Sequence, residues 1–476
     1  MLNLKPLLPS PSPAQVEKAL TLLSRKLGPS KLLTAEESCA AYARDESEAE
    51  GRLPHCVVIA ENASDIQAAL AAAQEANVPI TPRSGGTGRA GGAVPLAGGI
   101  VLTTQGMKQI KDIDRRELCC VVEPGVILGD LHATVEREGL FYPPDANSLL
   151  ACTLGGNVAC NAGGPRAFKY GVTRNYVLGL DAMLIGGQRI FAGRRTIKGV
   201  TGYDVASLLV GSEGTLAIFG DITLRLLVKP PAVMTLMALF DDVQQATHSV
   251  GDIIAAGLVP RCIEMLDGMT LAAMRAAGNP ISERAGAMLL MDVDGDELKV
   301  ERDAERIGAM CTEAKAQEVL VAQDAAQRER LWAARREMSP AVRRMTKYKL
   351  SEDVVVPRRN IGALLDRLAK SCTALKVKHL TYGHAGDGNL HCNFLWDHDE
   401  EAPQVVKAIE QLFRDVVDLQ GTLTGEHGVG VLKAPYLHLE QSPELITLQK
   451  QLKGVFDPKN LLNPGKIFGA VGHGAC

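Results

Sequence analysis

The chain has 476 residues, 46% hydrophobic and 22% charged, with a formal net charge of −4. That length allows two or three domains with sizeable cores, and the charge balance gives no electrostatic case for nucleic acid or an anionic membrane as partner. The start, "MLNLKPLLPSPSPAQVEK", has no apolar h-region and no run of 18 apolar residues occurs, which argues against a signal peptide and a spanning helix, and eleven cysteines without a C-x-x-C argue against an iron–sulfur cluster and suggest reduced thiols.

Apolar spacing predicts a helix over 14–28, ended by "LGPSK". "CVVIA" (56–60) predicts a buried strand, residues 64–78 an amphipathic helix capped by Ser64, and "PITPRS" a second strand, a β-α-β start. A loop follows in which seven of the residues 85–99 are glycine. Gly86-x-Gly88-x-x-Gly91 matches the dinucleotide fingerprint, but Pro95 and further glycines deny the helix that this fingerprint must open. Successive backbone N–H groups in such a loop suit an anion instead, with Arg83, Ser84 and Thr87 as added donors and a pyrophosphate as the natural guest. A flexible surface loop is the plainer alternative; the glycines, however, directly follow a buried strand. From 100 to 228, short apolar runs separated by glycine predict an α+β domain with a mixed sheet. Two more glycine-dense segments lie here, at 153–171 and at 211–215. Three such loops suit a long, flat cofactor bearing a diphosphate.

"VKPPAV" (228–233) predicts a boundary. Beyond it, strand-like runs alternate with long helical stretches, which predicts a second α+β domain with an antiparallel sheet covered by helices. "TYGHAGDGNLHCNF" (381–394) sets His384 and His391 seven positions apart, with Gly383, Gly386 and Gly388 able to turn the chain between them. Alternation puts His391 and Asn393 on one strand face. "GTLTGEHGVG" (421–430) adds Glu426 and His427 between glycines. Two histidines and a carboxylate suit a divalent ion with an open position; two structural histidines are the competing reading. Residues 331–357 are dense in cations, either a solvated helix face or a carboxylate-binding surface. The tail from 455 has turn chemistry.

"PRSGGTGRAGGAVP", "EPGV", "PPDANSLLACTLGGNVACNAGGPRAFKYG", "VGSEGTLAI" and the terminal "NPGK" resemble the FAD-binding domain of the vanillyl-alcohol oxidase type. "YGHAGDGNLH" and "GEHGVG" resemble the FAD-linked oxidase C-terminal family, which includes D-lactate, D-2-hydroxyglutarate and glycolate dehydrogenases. The resemblance implies an α+β chain with a FAD-binding domain over 1–228, a substrate- and metal-binding cap over 229–454, and a tail over 455–476 that returns to the FAD domain. It assigns FAD contacts to Arg83, Ser84, Gly85, Gly86, Thr87 and Gly88, to Pro144 and Asp145, and to Thr153, Gly155, Gly156, Asn157, Gly163 and Gly164. Glu213, Gly214, Ile218 and Asn463 complete that set. The first loop lacks histidine, so non-covalent FAD is expected. His384, His391 and Glu426 are the implied ligands of zinc or a similar divalent metal, and His427 the implied base. Arg335 is the implied clamp for a substrate carboxylate, with Ser339 and Asn393 beside it. Ser351 stands where 2-hydroxyglutarate enzymes have a lysine, the nearest being Lys349, which leaves recognition of a second carboxylate open.

The expected activity is oxidation of a D-2-hydroxy acid to the 2-oxo acid by hydride transfer to flavin N5. An external acceptor is then needed: an electron-transfer flavoprotein, a quinone or a cytochrome. A homodimer and a cytoplasmic location, with peripheral attachment to the inner membrane as an option, complete the expectation. The rival is a FAD-dependent transferase of the alkylglycerone-phosphate synthase type, which shares both domains.

Overall fold

The computed structural model describes residues 8–469 apart from residue 337. The chain forms two units: 8–163, 172–229 and 426–469 make the first, 164–171 and 230–425 the second.

The first unit begins as its apolar runs dictate. Cys56–Ile59 and Ile80–Arg83 both pair in parallel with Ile100–Thr103, and Leu32–Leu33 pairs antiparallel with Cys56–Ile59. The helix between the first two parallel strands spans Ala63–Ala76 and starts earlier than expected. Asn62, in extended conformation, caps it by accepting the Asp65 N–H, which leaves Ser64 inside the first turn. Ile66, Ala69, Leu70 and Ala73 of this helix bury against Val58, Ile80, Ile100 and Leu102, and the alanines allow close approach. A five-stranded antiparallel sheet follows, in the order Ile110–Asp114, Cys119–Val122, Ile218–Arg225, Val177–Met183, Arg189–Gly193. The last chain segment seals this unit: Ile80 donates its N–H to the Leu461 carbonyl at 2.8 Å and accepts that of Asn463 at 2.8 Å. The ten described cysteines form no disulfide.

The second unit is built on seven antiparallel strands in the order Glu318–Val321, Ala232–Phe240, Ala287–Gly295, Cys262–Asp267, Lys378–His384, Asn389–Trp396, Tyr348–Val355. Its long helices carry apolar stripes at helical spacing; Ala402–Asp418, for example, buries Val405, Ile409, Leu412 and Val416. On one sheet face Leu239, Leu266, Met288 and Leu380 bury against the short helices Gly268–Ala276 and Met338–Arg344. Strand alternation and register put Glu264, His384, His391, Asn393 and Asp353 on that same face. Polar and ionisable groups thus share a face with an apolar cluster. Among the described residues no helix is long and apolar enough to cross a membrane.

Candidate functional site

The first glycine loop leaves the strand Ile80–Arg83. Gly86 has φ +72°, and a Cβ there would lie 2.2 Å from Arg83 Nη2, so any other residue is strained and must displace the guanidinium. The Arg83 guanidinium turns back to donate to the Arg44 carbonyl and stands 5.7 Å from the Tyr42 ring centre. Ser84 Oγ lies 2.5 Å from Thr153 Oγ1, which also accepts the Gly85 N–H at 3.0 Å. Ser84, Gly85 and Thr153 therefore stitch the first glycine loop to the second. Among the described residues no protein group accepts the N–H of Gly86, Thr87 or Gly88. Three consecutive donors of this kind form an anion-binding nest.

Thr153 precedes the helix Leu154–Cys160, in which a Cβ on Gly155 would meet Pro124 Cβ at 2.7 Å, Gly156 has room, and Asn157 is buried. A Cβ on Gly163 would stand 3.1 Å from Glu426 Oε2. Gly164 falls in the segment assigned to the second unit. Pro144 is buried and its carbonyl accepts from His132 Nε2 at 2.9 Å, with Asp145 half-buried next to it. Glu213, buried at φ +51°, accepts the N–H groups of Val429 and Gly430 at 2.7 Å each. Burial pushes its carboxyl up, against the pull of those N–H groups and of Lys466 and Lys433. Gly214 has φ +66° and no room for a Cβ beside Pro82, and Ile218 opens a strand whose side chain joins the core. Asn463 Nδ2 donates to the carbonyls of Gly92 (3.0 Å) and Glu213 (2.8 Å), which ties the first and third glycine segments together.

In the second unit the strands Lys378–His384 and Asn389–Trp396 form a hairpin closed by residues 385–388. Gly388 has φ +88°, and a Cβ there would lie 2.0 Å from the Val356 carbonyl. Gly383 lies within the first strand rather than in the turn. His384 pairs with Asn389 and His391 with Tyr382, so the two imidazoles are diagonal neighbours, both buried, with ring centres 5.3 Å apart. Asp353, paired with His391, accepts the Gly425 N–H at 2.9 Å and the Thr424 hydroxyl at 3.1 Å. The following residue is Glu426, and ligand atoms of His384, His391 and Glu426 lie within 4.8 Å of one another. His427, next in the chain, is half-buried.

Beside the histidines stands a fully buried carboxylate, Glu264. Its Oε1 is 2.5 Å from His384 Nδ1; its Oε2 accepts from Arg335 Nε at 2.8 Å and lies 2.5 Å from Arg335 Nη2. Burial alone would raise the Glu264 carboxyl; the charges and hydrogen bonds of His384 and Arg335 outweigh it and hold the group down at about 2. The Arg335 guanidinium lies 5.0 Å from the Tyr382 ring centre, and Lys349 Nζ lies 5.9 Å from the same ring while donating to Ser339 Oγ at 2.9 Å. Arg335 rides on the helix Ala325–Arg336, which Trp332 moors by donating its indole N–H to Asp292 at 2.9 Å. Asn393 donates to the His391 carbonyl at 2.8 Å, and Ser351 pairs with Asn393 across the sheet.

Residues 54–193 match the family model described as "FAD binding domain", and residues 229–467 the one described as "FAD linked oxidases, C-terminal domain". The chain belongs to the FAD-linked oxidase family. It is 40% identical to glycolate oxidase subunit GlcD of Bacillus subtilis (strain 168), over 93% of this chain and 94% of that protein. Identity is 31% both to D-lactate dehydrogenase of Anaerostipes hadrus (96% and 97% of the two chains) and to D-2-hydroxyglutarate dehydrogenase of Stutzerimonas stutzeri (strain A1501) (96% and 99%). The fold is that of p-cresol methylhydroxylase (TM-score 0.81, 14% identity, 97% and 98% covered) and alkyldihydroxyacetonephosphate synthase (TM-score 0.75, 18% identity, 96% and 86% covered).

The first unit of this FAD-linked oxidase fits a dinucleotide cofactor on its own geometry: three open N–H groups in the first loop, with the Ser212 hydroxyl and the Asn463 side-chain oxygen buried without protein partners in the segments tied to it. The nitrogen–nitrogen–oxygen donor set of His384, His391 and Glu426 fits a divalent ion of the zinc type. Two positions escaped sequence reasoning, Glu264 and Asp353. Glu264 is an acid inside the apolar run "CIEML", and an ionisable residue in such a run is the signal that would have found it; Asp353 follows Ser351 and Glu352 in a mixed strand and carries no such signal.

Proposed function

We propose that this FAD-linked oxidase oxidises a D-2-hydroxy acid of the lactate, glycolate or 2-hydroxyglutarate class to the 2-oxo acid and passes the electrons to an external acceptor. The observation that carries the reading is the closeness of two imidazoles and a carboxylate, with Arg335 bound to Glu264 on the sheet face that bears the imidazoles. Glycolate, D-lactate and D-2-hydroxyglutarate in the names of full-length relatives support the substrate class.

In this reading Arg335 pairs with the substrate carboxylate, for which a planar guanidinium fork is suited. Its edge toward Glu264 is taken, which leaves Nη1 and the far N–H of Nη2 for that contact. His427 accepts the proton of the C2 hydroxyl. Asn393, whose Oδ1 is buried without a donor, sits on the same face to orient polar groups of the substrate. His384, His391 and Glu426 would hold a divalent ion, zinc by preference, whose charge favours ionisation of an alcohol. FAD, bound non-covalently by the glycine loops, supplies the two-electron oxidant.

The test is an anaerobic spectrum of the purified holoprotein. D-lactate, glycolate or D-2-hydroxyglutarate should bleach the visible flavin band, L-enantiomers should not, and a chelator should slow the bleaching. A flavin that responds to none of these acids sinks the reading and favours the transferase alternative that shares the fold. His427→Ala should lower turnover by about 10² to 10⁴ while flavin stays bound; turnover near the wild-type rate would remove His427 from the base role.

A further inference from the structure

Glu264 lies outside the three-residue donor set, yet it is fully buried on the sheet face that carries His384 and His391. One carboxylate there serves two partners. Oε1 faces His384 Nδ1 at 2.5 Å, and Oε2 faces the Nε–Nη2 edge of Arg335 at 2.8 and 2.5 Å. All three side chains are at most 5% exposed, so water does not screen or replace these contacts. The strand places them: Glu264 is the register partner of His384, while Arg335 arrives from the helix that Trp332 moors to Asp292.

We infer that Glu264 is a positioning residue that couples the metal ligand His384 to the carboxylate clamp Arg335. An ionised carboxylate only accepts hydrogen bonds, so it requires the ring proton of His384 on Nδ1. Nε2 then carries no proton and is the ring atom able to ligate a cation, and the hydrogen bond at Nδ1 fixes the ring orientation. The same carboxylate fixes the guanidinium by one edge and thereby sets which edge faces substrate. The inference rests on the proposed function for the identity of what the two partners bind, and on the geometry alone for the coupling.

Glutamine separates the two duties. It is close to isosteric but has one acceptor and one donor end. Arg335, always charged, takes the acceptor; the amide NH₂ then faces His384 Nδ1 and drives the ring proton onto Nε2, the ligand atom. Glu264→Gln holoprotein is therefore titrated with Zn²⁺ by calorimetry, beside wild type and Glu264→Asp. The expected result is affinity 10- to 100-fold weaker for Glu264→Gln, an intermediate value for Glu264→Asp, which keeps two acceptors, and unchanged flavin content in both. Turnover of Glu264→Gln should recover as Zn²⁺ is raised, with KM for the hydroxy acid changed less than the metal requirement. Wild-type affinity in Glu264→Gln overturns the inference while leaving the proposed function standing. A wild-type protein that takes up no Zn²⁺ overturns both. Should Glu264→Gln not fold, ¹⁵N shifts of the metal-free wild-type histidines at pH 8 decide, with His384 assigned by comparison with His384→Asn: a proton on Nδ1 supports the inference, and a proton on Nε2 alone refutes it.

Discussion

Asp267 shows how one buried acid makes stability depend on pH. It caps the helix Gly268–Ala276 through the Thr270 N–H at 2.8 Å and accepts the Thr381 N–H at 2.6 Å. Burial pushes its carboxyl up from 3.8 to about 6, against the pull of those N–H groups. Between about pH 4 and 6 the folded chain therefore holds a proton that the unfolded chain has lost, so this group's contribution to stability falls as pH rises through that window and is flat above it. Asp267→Asn, still a good cap, has no such titration. The wild-type minus Asp267→Asn difference in urea stability should shrink by up to about 3 kcal/mol from pH 4 to pH 6.5; a difference that does not change with pH would mean that the carboxyl titrates normally. Gly86 makes the complementary case for backbone. Alanine there meets both φ +72° and the Arg83 guanidinium, a strain of roughly 1–2 kcal/mol before Arg83 moves. Gly86→Ala should purify with a low flavin-to-protein ratio and wild-type Zn²⁺ uptake, read from the visible spectrum and a metal titration. These residues also show what sequence could tell. Glycine density marked Gly86, because only a required positive φ or close approach concentrates glycine behind a buried strand. Glu264 stayed hidden because its partners are 71 and 120 positions away in the chain.

At the scale of elements, the hairpin from Lys378 to Trp396 brings its two histidines together by strand alternation, whereas Glu426 depends on a loop. That loop is held by Asp353 through Gly425 and Thr424. Asp353→Asn keeps one acceptor for those two donors, so Glu426 should drift. Zn²⁺ affinity should fall at least ten-fold with flavin content unchanged, and calorimetry beside the flavin spectrum checks both. Period-two alternation and glycine punctuation made the hairpin legible in sequence. Joining it to "GTLTGEHGVG" took the family resemblance, since contact across strand pairing leaves no local pattern. The helix Ala63–Ala76 illustrates the ordinary error: Asn62 and Ser64 are both good caps, and the extended backbone at Asn62 decides between them.

Taken whole, the chain interleaves its two units. The first is completed by residues 426–469, which supply the backbone partners of Ile80 and Glu213 and the side-chain donor to the Gly92 carbonyl. A fragment ending at residue 229 lacks all of them and leaves the Glu213 carboxylate without its two N–H donors. Expressed alone, it should be aggregated or protease-sensitive and should not retain FAD, and co-expression with a 426–476 peptide should rescue part of it; a folded yellow fragment would show that the late segment is dispensable. The same interleaving orders events in time during synthesis. A ribosome adding about 5–20 residues per second makes residues 230–425 after the bulk of the first unit and before its closing piece. For about ten seconds or more, on that estimate, the nascent first unit lacks its closing segment, a window in which chaperones have something to hold.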